Sequence, residues 1–208
     1  MVRDQIAARG ITDQRVLEAM RNVPRERFVP ADERFSAYDD RPLPIGLGAT
    51  ISQPYIVALM TERLDLEPTD RVLEVGAGCG YAAAVLGELC AHVITIENVP
   101  GLVAMARANL ADRTDRIEVV EGDGSAGYPA GAPYDAISVT AGAPRVPDPL
   151  LEQLAPGGRL VIPVDARAGQ ELLLLTRSSD PEATGEDRFT REVITQVRFV
   201  PLVGKHAH

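Results

Sequence analysis

Val72-Leu73-Glu74-Val75-Gly76-Ala77-Gly78-Cys79-Gly80-Tyr81 is the stretch whose reading decides the fold. Strand-forming residues run into three alternating glycines, and Tyr81–Leu89 behind them has the composition of a helix. A strand, a glycine turn and a helix in that order bring backbone N–H groups close against a ligand.

Outward from this unit the alternation continues. His92–Glu97 reads as a strand and Gly101–Ala111 as a helix; Ile117–Glu121, Tyr134–Thr140 and Arg159–Val164 read as further strands. Strands alternating with helices predict a parallel sheet covered on both faces. Gln170–Thr176 and Glu192–Val200 have no helical pattern between them, only the polar loop Ser178–Arg188, and predict an antiparallel pair at the sheet edge. Upstream, residues 3–9 and 13–22 read as short helices around Gly10, with Thr12 or Asp13 capping the second. Residues 29–48, broken by Pro30, Pro42, Pro44, Gly46 and Gly48, read as irregular, and a helix follows from Pro54 to Leu64. The expected fold is α/β: a doubly wound, mostly parallel sheet with an antiparallel edge and a small N-terminal helical extension. Residues 1–208 are expected to form one domain, with 1–52 as N-terminal elaboration, 53–164 as ligand-binding core and 165–208 as C-terminal strands.

Composition narrows the chemistry. Of 208 residues, 45% are hydrophobic and 25% charged, ordinary for a globular chain able to bury a core without staples. No apolar run approaches the roughly 20 residues of a membrane helix, and Met1–Asp4 does not lead into a signal core. The net charge of −9 repels a phosphate backbone, so no nucleic-acid partner is expected. Cys79 and Cys90 bracket a helix, which sets them roughly 16 Å apart at 1.5 Å per residue, too far for a disulfide. Two free thiols point to a reducing compartment and hence the cytoplasm. With 20 Arg and the single Lys205, Schiff-base chemistry has one candidate, near a chain end. His206-Ala207-His208 is too short and isolated for a metal site, and no metal is expected.

Acids at the strand ends mark the site. The spacing Gly76, Gly78, Gly80 is one residue shorter than the dinucleotide fingerprint, and Glu97 closes the next strand 17 residues after Gly80. An acid there accepts both ribose hydroxyls of an adenosine ligand; the plainer alternative is a solvated strand-end carboxylate. Gly122-Asp123-Gly124 follows the third strand. Asp123 there accepts from an adenine amine, with Gly124 admitting the ring, or else makes an Asx-turn.

These motifs resemble the Rossmann-like methyltransferases that use S-adenosyl-L-methionine. The blocks Arg9-Gly10-Ile11, Val23–Pro30, Ala37-Tyr38, Pro42–Gly46, Ala49-Thr50-Ile51-Ser52-Gln53-Pro54-Tyr55, Pro133-Tyr134-Asp135 and Phe199–Leu202 resemble the protein-L-isoaspartate O-methyltransferase family. The resemblance covers residues 3 to about 205. Cys79 stands where Ser is usual, Ala49 where many members carry Gln, and Asp165 where Gly is common, adding a charge near the expected cofactor rim.

The resemblance implies methyl transfer to the free α-carboxylate of L-isoaspartyl residues in damaged proteins and peptides, a repair reaction; a monomer with no membrane partner is expected. It implies that Glu74, Gly76, Ala77, Gly78, Gly80, Glu97, Asp123, Gly124 and Gln170 bind the cofactor, and that Thr50 and Ser52 hold the carboxylate. For Ser52 the plainer reading is a helix cap, and for Gln170 an exposed strand-end amide. Two other functions fit the same motifs: an aspartate O-methyltransferase acting on a ribosomally made peptide, and a non-catalytic adenosyl-binding module.

Overall fold

The computed structural model describes residues 1–207; of Glu186 only the backbone is described, and His208, half of the His pair, lies outside the described residues. The chain builds a seven-stranded sheet from β3 (Arg71–Val75), β4 (His92–Glu97), β5 (Ile117–Glu121), β6 (Tyr134–Val139), β7 (Leu154–Ala166), β8 (Gly169–Arg177) and β9 (Phe189–Val197). Their order in the sheet is β5-β4-β3-β6-β7-β8-β9. β5 to β7 are mutually parallel, and β8 and β9 add antiparallel. The expected architecture, including the antiparallel edge, is therefore present.

β3, β4 and β6 are buried on both faces, which is why they read as continuous apolar runs. On one face Val72, Val93, Ala136, Val161 and Leu172 pack into the same cluster as residues of α1 (Gln14–Asn22), α2 (Pro54–Leu64) and α3 (Tyr81–Leu86). On the other, Leu73, Val75, Ile94, Ile137, Ile162 and Leu173 form a second cluster with Leu150 of α5 (Asp148–Glu152). Each fully buried aliphatic side chain contributes about 1.5–3 kcal/mol. Val103 and Ala106 of α4 (Pro100–Asn109) are buried as well. Strand order reverses at β3, whose neighbours are β4 on one side and β6 on the other. Open α/β sheets bind ligands in the crevice at that point, beyond the C-terminal ends of the strands.

Several local expectations give way. Residues 3–9 are a π turn, Val2–Ile6, followed by a 3-10 turn, Ala7–Arg9, too short for a settled α-helix. Asp13 rather than Thr12 caps α1, accepting from Arg15 N–H at 2.8 Å. The irregular segment 29–48 contains a 3-10 helix, Ala31–Ser36, and the first strand of the hairpin β1 (Leu43–Gly46) and β2 (Ala49–Ile51). Leu43 and Ile45 point inward while Pro44 and Gly46 face out, so the prolines and glycines sit where no core contact is needed. Gly46, Leu47 and Gly48 turn the chain with φ of 88°, 53° and 77°. The helix after the glycines ends at Leu86, α5 was not anticipated, β7 begins five residues early, and β9 is displaced toward the N-terminus. Residues 198–200 therefore leave the sheet, a displacement that shapes the site.

Candidate active site

The glycine turn is built from positive-φ backbone: Gly76 at 96°, Gly78 at 52° and Gly80 at 86°. Each absent side chain has its own reason. A Cβ on Gly76 would stand 2.5 Å from Thr140 Oγ1, and one on Gly80 would stand 2.8 Å from Leu110 Cδ1. Gly78 is the open one; its nearest neighbour to a Cβ is Ile45 Cδ1 at 3.4 Å. Its N–H donates to Glu97 Oε2 at 3.0 Å. Glu97 Oε1 accepts from Asn98 N–H at 2.9 Å and Val99 N–H at 3.1 Å. Glu97 as a residue is only 7% exposed, and these bonds hold its carboxylate plane at the end of β4.

A cavity of about 280 Å³ opens here, lined by Gly76, Gly78, Glu97, Asn98, Gly124 and Thr140 among others. Ala77 and Glu74 instead line a smaller space of about 50 Å³ on the α2–α3 side of the sheet, and Gly80 lines neither. Glu74 is fully buried between its register partners Thr95 and Ser138. Thr95 Oγ1 donates to its Oε2, while Oε1 has no partner. Burial pushes this carboxyl up to about 8; the Thr95 bond opposes the shift and the charge of Glu97 adds to it.

Thr50 lies in β2, and Ser52 lies between β2 and α2. Thr50 is exposed and Ser52 half-buried, and both line an outer cleft of about 620 Å³ together with Gln53, Thr140, Arg198 and Phe199. Thr50 and Thr140 border all three spaces. The helix-cap reading of Ser52 is corrected: Gln53 holds the N-cap position of α2, no side chain caps it, and Ile56 and Val57 N–H groups donate to Gln53 O. Ser52 stands one residue too early to cap.

Thr140 was missed as a site residue. Its hydroxyl donates to Val75 O at 3.0 Å and Gly76 O at 2.7 Å, tying the end of β6 to the glycine turn. The signal was available: Thr140 ends a strand that pairs with the glycine-bearing one, where ligands collect.

Asp123 and Gln170 lie outside the cavity lining. Asp123 Oδ1 accepts from Ser125 N–H at 2.9 Å and Oγ at 2.6 Å, and Oδ2 accepts from Lys205 N–H at 2.7 Å. Burial alone would raise its pKa, but the Lys205 and Ser125 bonds outweigh that and hold it below the usual carboxylate range. Gln170 Oε1 accepts from Phe199 N–H at 2.6 Å and its Nε2 donates to Asp165 Oδ1 at 3.3 Å. The extra charge at Asp165 is thus engaged by the Gln170 amide.

Known proteins match this chain along its whole length. A family model described as protein-L-isoaspartate(D-aspartate) O-methyltransferase covers residues 1–207. A protein-L-isoaspartate O-methyltransferase of Methanoregula boonei is 56% identical over 99% of this chain and 92% of its own length. One of Rhodopseudomonas palustris is 55% identical over 98% and 92%. Among solved structures, a protein-L-isoaspartate O-methyltransferase superposes with a TM-score of 0.84 at 29% identity, over 97% of this chain and 64% of that one. A Plasmodium falciparum protein assigned the same activity, in complex with S-adenosyl-L-homocysteine, gives 0.81 at 26% identity over 96% and 95%. Identity above one half, sustained from end to end, leaves one conclusion: this chain belongs to the protein-L-isoaspartate(D-aspartate) O-methyltransferase family.

Proposed function

We propose that this chain transfers a methyl group from S-adenosyl-L-methionine to the free α-carboxylate of L-isoaspartyl residues in damaged proteins and peptides, releasing S-adenosyl-L-homocysteine. One observation carries the reading: the cavity beside Glu97 and the glycine turn meets the outer cleft of Ser52 at Thr50 and Thr140. A donor site and an acceptor site with a common wall are what a direct transfer needs.

The cavity suits the donor. Its floor is a turn that a side chain would fill, and Glu97 accepts three N–H bonds on a carboxylate with about four lone-pair directions, leaving capacity for ribose hydroxyls. We assign Glu74, Gly76, Ala77, Gly78, Gly80, Glu97, Asp123 and Gly124 to that site; Gly80 acts by letting the turn pack on Leu110, and Gln170 by holding Phe199. When bound, S-adenosyl-L-methionine supplies a methyl group already activated on a positively charged sulfur.

The protein's own task is alignment. An α-carboxyl group has a pKa of about 3.5, so the nucleophile is ionised at neutral pH and needs no general base. Thr50 and Ser52 donate to that carboxylate and fix its approach, while Thr140 keeps the two spaces in register. Proximity and orientation then supply the rate.

The acidic chain, −9 overall, acts on protein and peptide substrates rather than nucleic acid. Among the described residues no helix is long and apolar enough to cross a membrane. Two buried free thiols support a cytoplasmic setting, and we read residues 1–208 as one monomeric catalytic unit. The test is transfer of radiolabelled methyl groups to matched isoaspartyl and aspartyl peptides. Label on the isoaspartyl member alone is expected. Equal labelling assigns the chain to aspartate modification, and no labelling to an adenosyl-binding module.

A further inference from the structure

The outer cleft of about 620 Å³ carries a single charge: among the described residues that line it, Arg198 alone is ionised at neutral pH. Arg198 is exposed, and its guanidinium makes no hydrogen bond or ion pair with another described residue. The acid opposite this end of β9 is engaged elsewhere. Glu171, the register partner of Gln196, accepts from Gln196 Nε2 at 3.3 Å and does not line the cleft. The backbone that carries Arg198 is held just past the end of β9. Phe199 N–H donates to Gln170 Oε1 at 2.6 Å, and Gly142 N–H donates to Val200 O at 2.8 Å. A chain of net charge −9 thus presents an uncompensated cation to the cleft from a fixed position.

Arg198 borders the outer cleft only, whereas Thr50 and Thr140 also border the cofactor cavity and Ser52 the smaller space beside the glycine turn. The reacting carboxylate belongs at the shared wall, where it meets the cationic sulfur. A guanidinium paired with that carboxylate would stabilise it more before the reaction than in the transition state, where its charge is being lost, and would slow transfer. Set away from the shared wall, Arg198 is placed for a different anion. Its planar fork matches a carboxylate with two parallel N–H bonds. The other side-chain carboxylates that a peptide brings belong to Asp and Glu. An extended peptide advances about 3.3 Å per residue, so an acid within two residues of the reacting group lies within about 7 Å of it along the chain.

We propose that Arg198 is a specificity-determining residue: it binds the side-chain carboxylate of an Asp or Glu within two residues of the isoaspartyl group and makes acidic segments the preferred substrates. This rests on the methyl-transfer reading of the cleft. The preference runs against the charge of the whole chain, which repels acidic peptides, so it requires a local cation.

The test measures kcat/KM for short isoaspartyl peptides, amidated at the C-terminus so that no chain-end carboxylate competes. Glu or Gln is placed in turn at each position within two residues of the isoaspartyl group. The wild type is expected to favour Glu over Gln at one of these positions about 2- to 5-fold, the range of an exposed ion pair. Arg198→Gln is expected to bring that ratio to one or below, Arg198→Glu to invert it, and Arg198→Lys to keep most of it. Added salt is expected to shrink the wild-type ratio.

A wild type with no preference for Glu at any position overturns the proposal. So does a preference that survives in Arg198→Gln, which puts its origin elsewhere. A loss of equal size on Glu and Gln peptides also overturns it, and assigns Arg198 to the reacting carboxylate. Each ratio is taken on one protein preparation, so a partly unfolded variant does not alter it. Wild-type protein that methylates neither member of any pair overturns the methyl-transfer reading itself, and the proposal with it.

Discussion

Gly78 N–H donates to Glu97 Oε2 at 3.0 Å, so the acid that ends β4 is tied to the open glycine of the turn it faces. The bond orients one ligand group by means of another: the turn sets the carboxylate plane, and the carboxylate holds the turn against β4. Glu97→Ala removes an acceptor of charge-assisted bonds and is expected to weaken S-adenosyl-L-homocysteine binding by 1.5–3 kcal/mol, about 10- to 150-fold. Calorimetric titration measures it. Glu97→Gln, which keeps an acceptor for the turn, is expected to retain the melting temperature better than Ala while still losing affinity; equal affinity in all three proteins removes Glu97 from the site.

Gly76 is the tightest point of the turn. Its φ of 96° and the 2.5 Å approach of Thr140 Oγ1 to a Cβ both oppose Gly76→Ala. Backbone strain of this kind costs about 1–3 kcal/mol before any clash is counted. Gly76→Ala is expected to lower the melting temperature and the transfer rate together. Because the Thr140 hydroxyl also bonds Val75 O and Gly76 O, the comparison is made in a Thr140→Ala background, where Gly76→Ala is expected to cost less stability than in the wild type. An equal cost in both backgrounds shows that backbone strain alone is responsible.

How much of this was legible from residues alone differs between its parts. The glycine turn, Glu97 and the parallel strands were readable because each is a local pattern: an apolar run, a turn residue, an acid at a strand end. The hairpin Leu43–Ile51 was hidden because Pro44, Gly46 and Gly48 look like breakers, and only the buried Leu43 and Ile45 between them reveal a strand. The bonds from Lys205 and His206 to Asp123 and Ser125 join positions 82 and 81 residues apart, and no spacing rule reaches them. Thr140 falls between these cases, readable only by combining its strand end with the neighbouring glycines.

Glu74 gives the protein a signed pH dependence. Its folded-state pKa of about 8 lies above the value of 4.5 for an exposed carboxyl, because burial disfavours the charge. Between those limits the unfolded chain has released a proton that the folded chain keeps, so this group lowers stability as pH rises, by up to about 1.4 kcal/mol per pH unit. Below pH 4.5 both states are protonated and the contribution is constant. Glu74→Gln cannot titrate. Its melting temperature relative to wild type is expected to climb steadily from pH 5 to about pH 8. A difference that stays flat over that range shows that Glu74 is ionised in the folded protein.

Cys79 sits in the glycine turn, 3% exposed, with its thiol pushed up to about 11 by burial. A protonated thiol is no nucleophile at neutral pH, and direct displacement by a carboxylate needs none. Cys79→Ser is expected to keep activity within a few-fold of wild type. A loss beyond about a hundredfold, some 2.7 kcal/mol of barrier, shows that the thiol takes part in the chemistry.

Ser52 separates substrate binding from structure with one variant. Because Gln53 holds the N-cap position and no side chain caps α2, Ser52→Ala removes no cap bond, and the melting temperature is expected to stay within about 0.5 kcal/mol equivalent of wild type. If the hydroxyl donates to an ionised carboxylate, kcat/KM for isoaspartyl peptide falls about 10- to 150-fold while cofactor affinity holds. Thr50→Ala, from the other shared wall, is expected to lower kcat/KM as well, and the two losses should not add, since both hydroxyls address one carboxylate. The rate of the wild type is expected to show no acidic limb at pH 6–7, where a histidine base would titrate, and to fall only as the substrate carboxylate is protonated near pH 3.5, provided the fold survives there. A Ser52→Ala protein that is fully active removes the substrate role from Ser52 and leaves Thr50 as the hydroxyl facing the carboxylate.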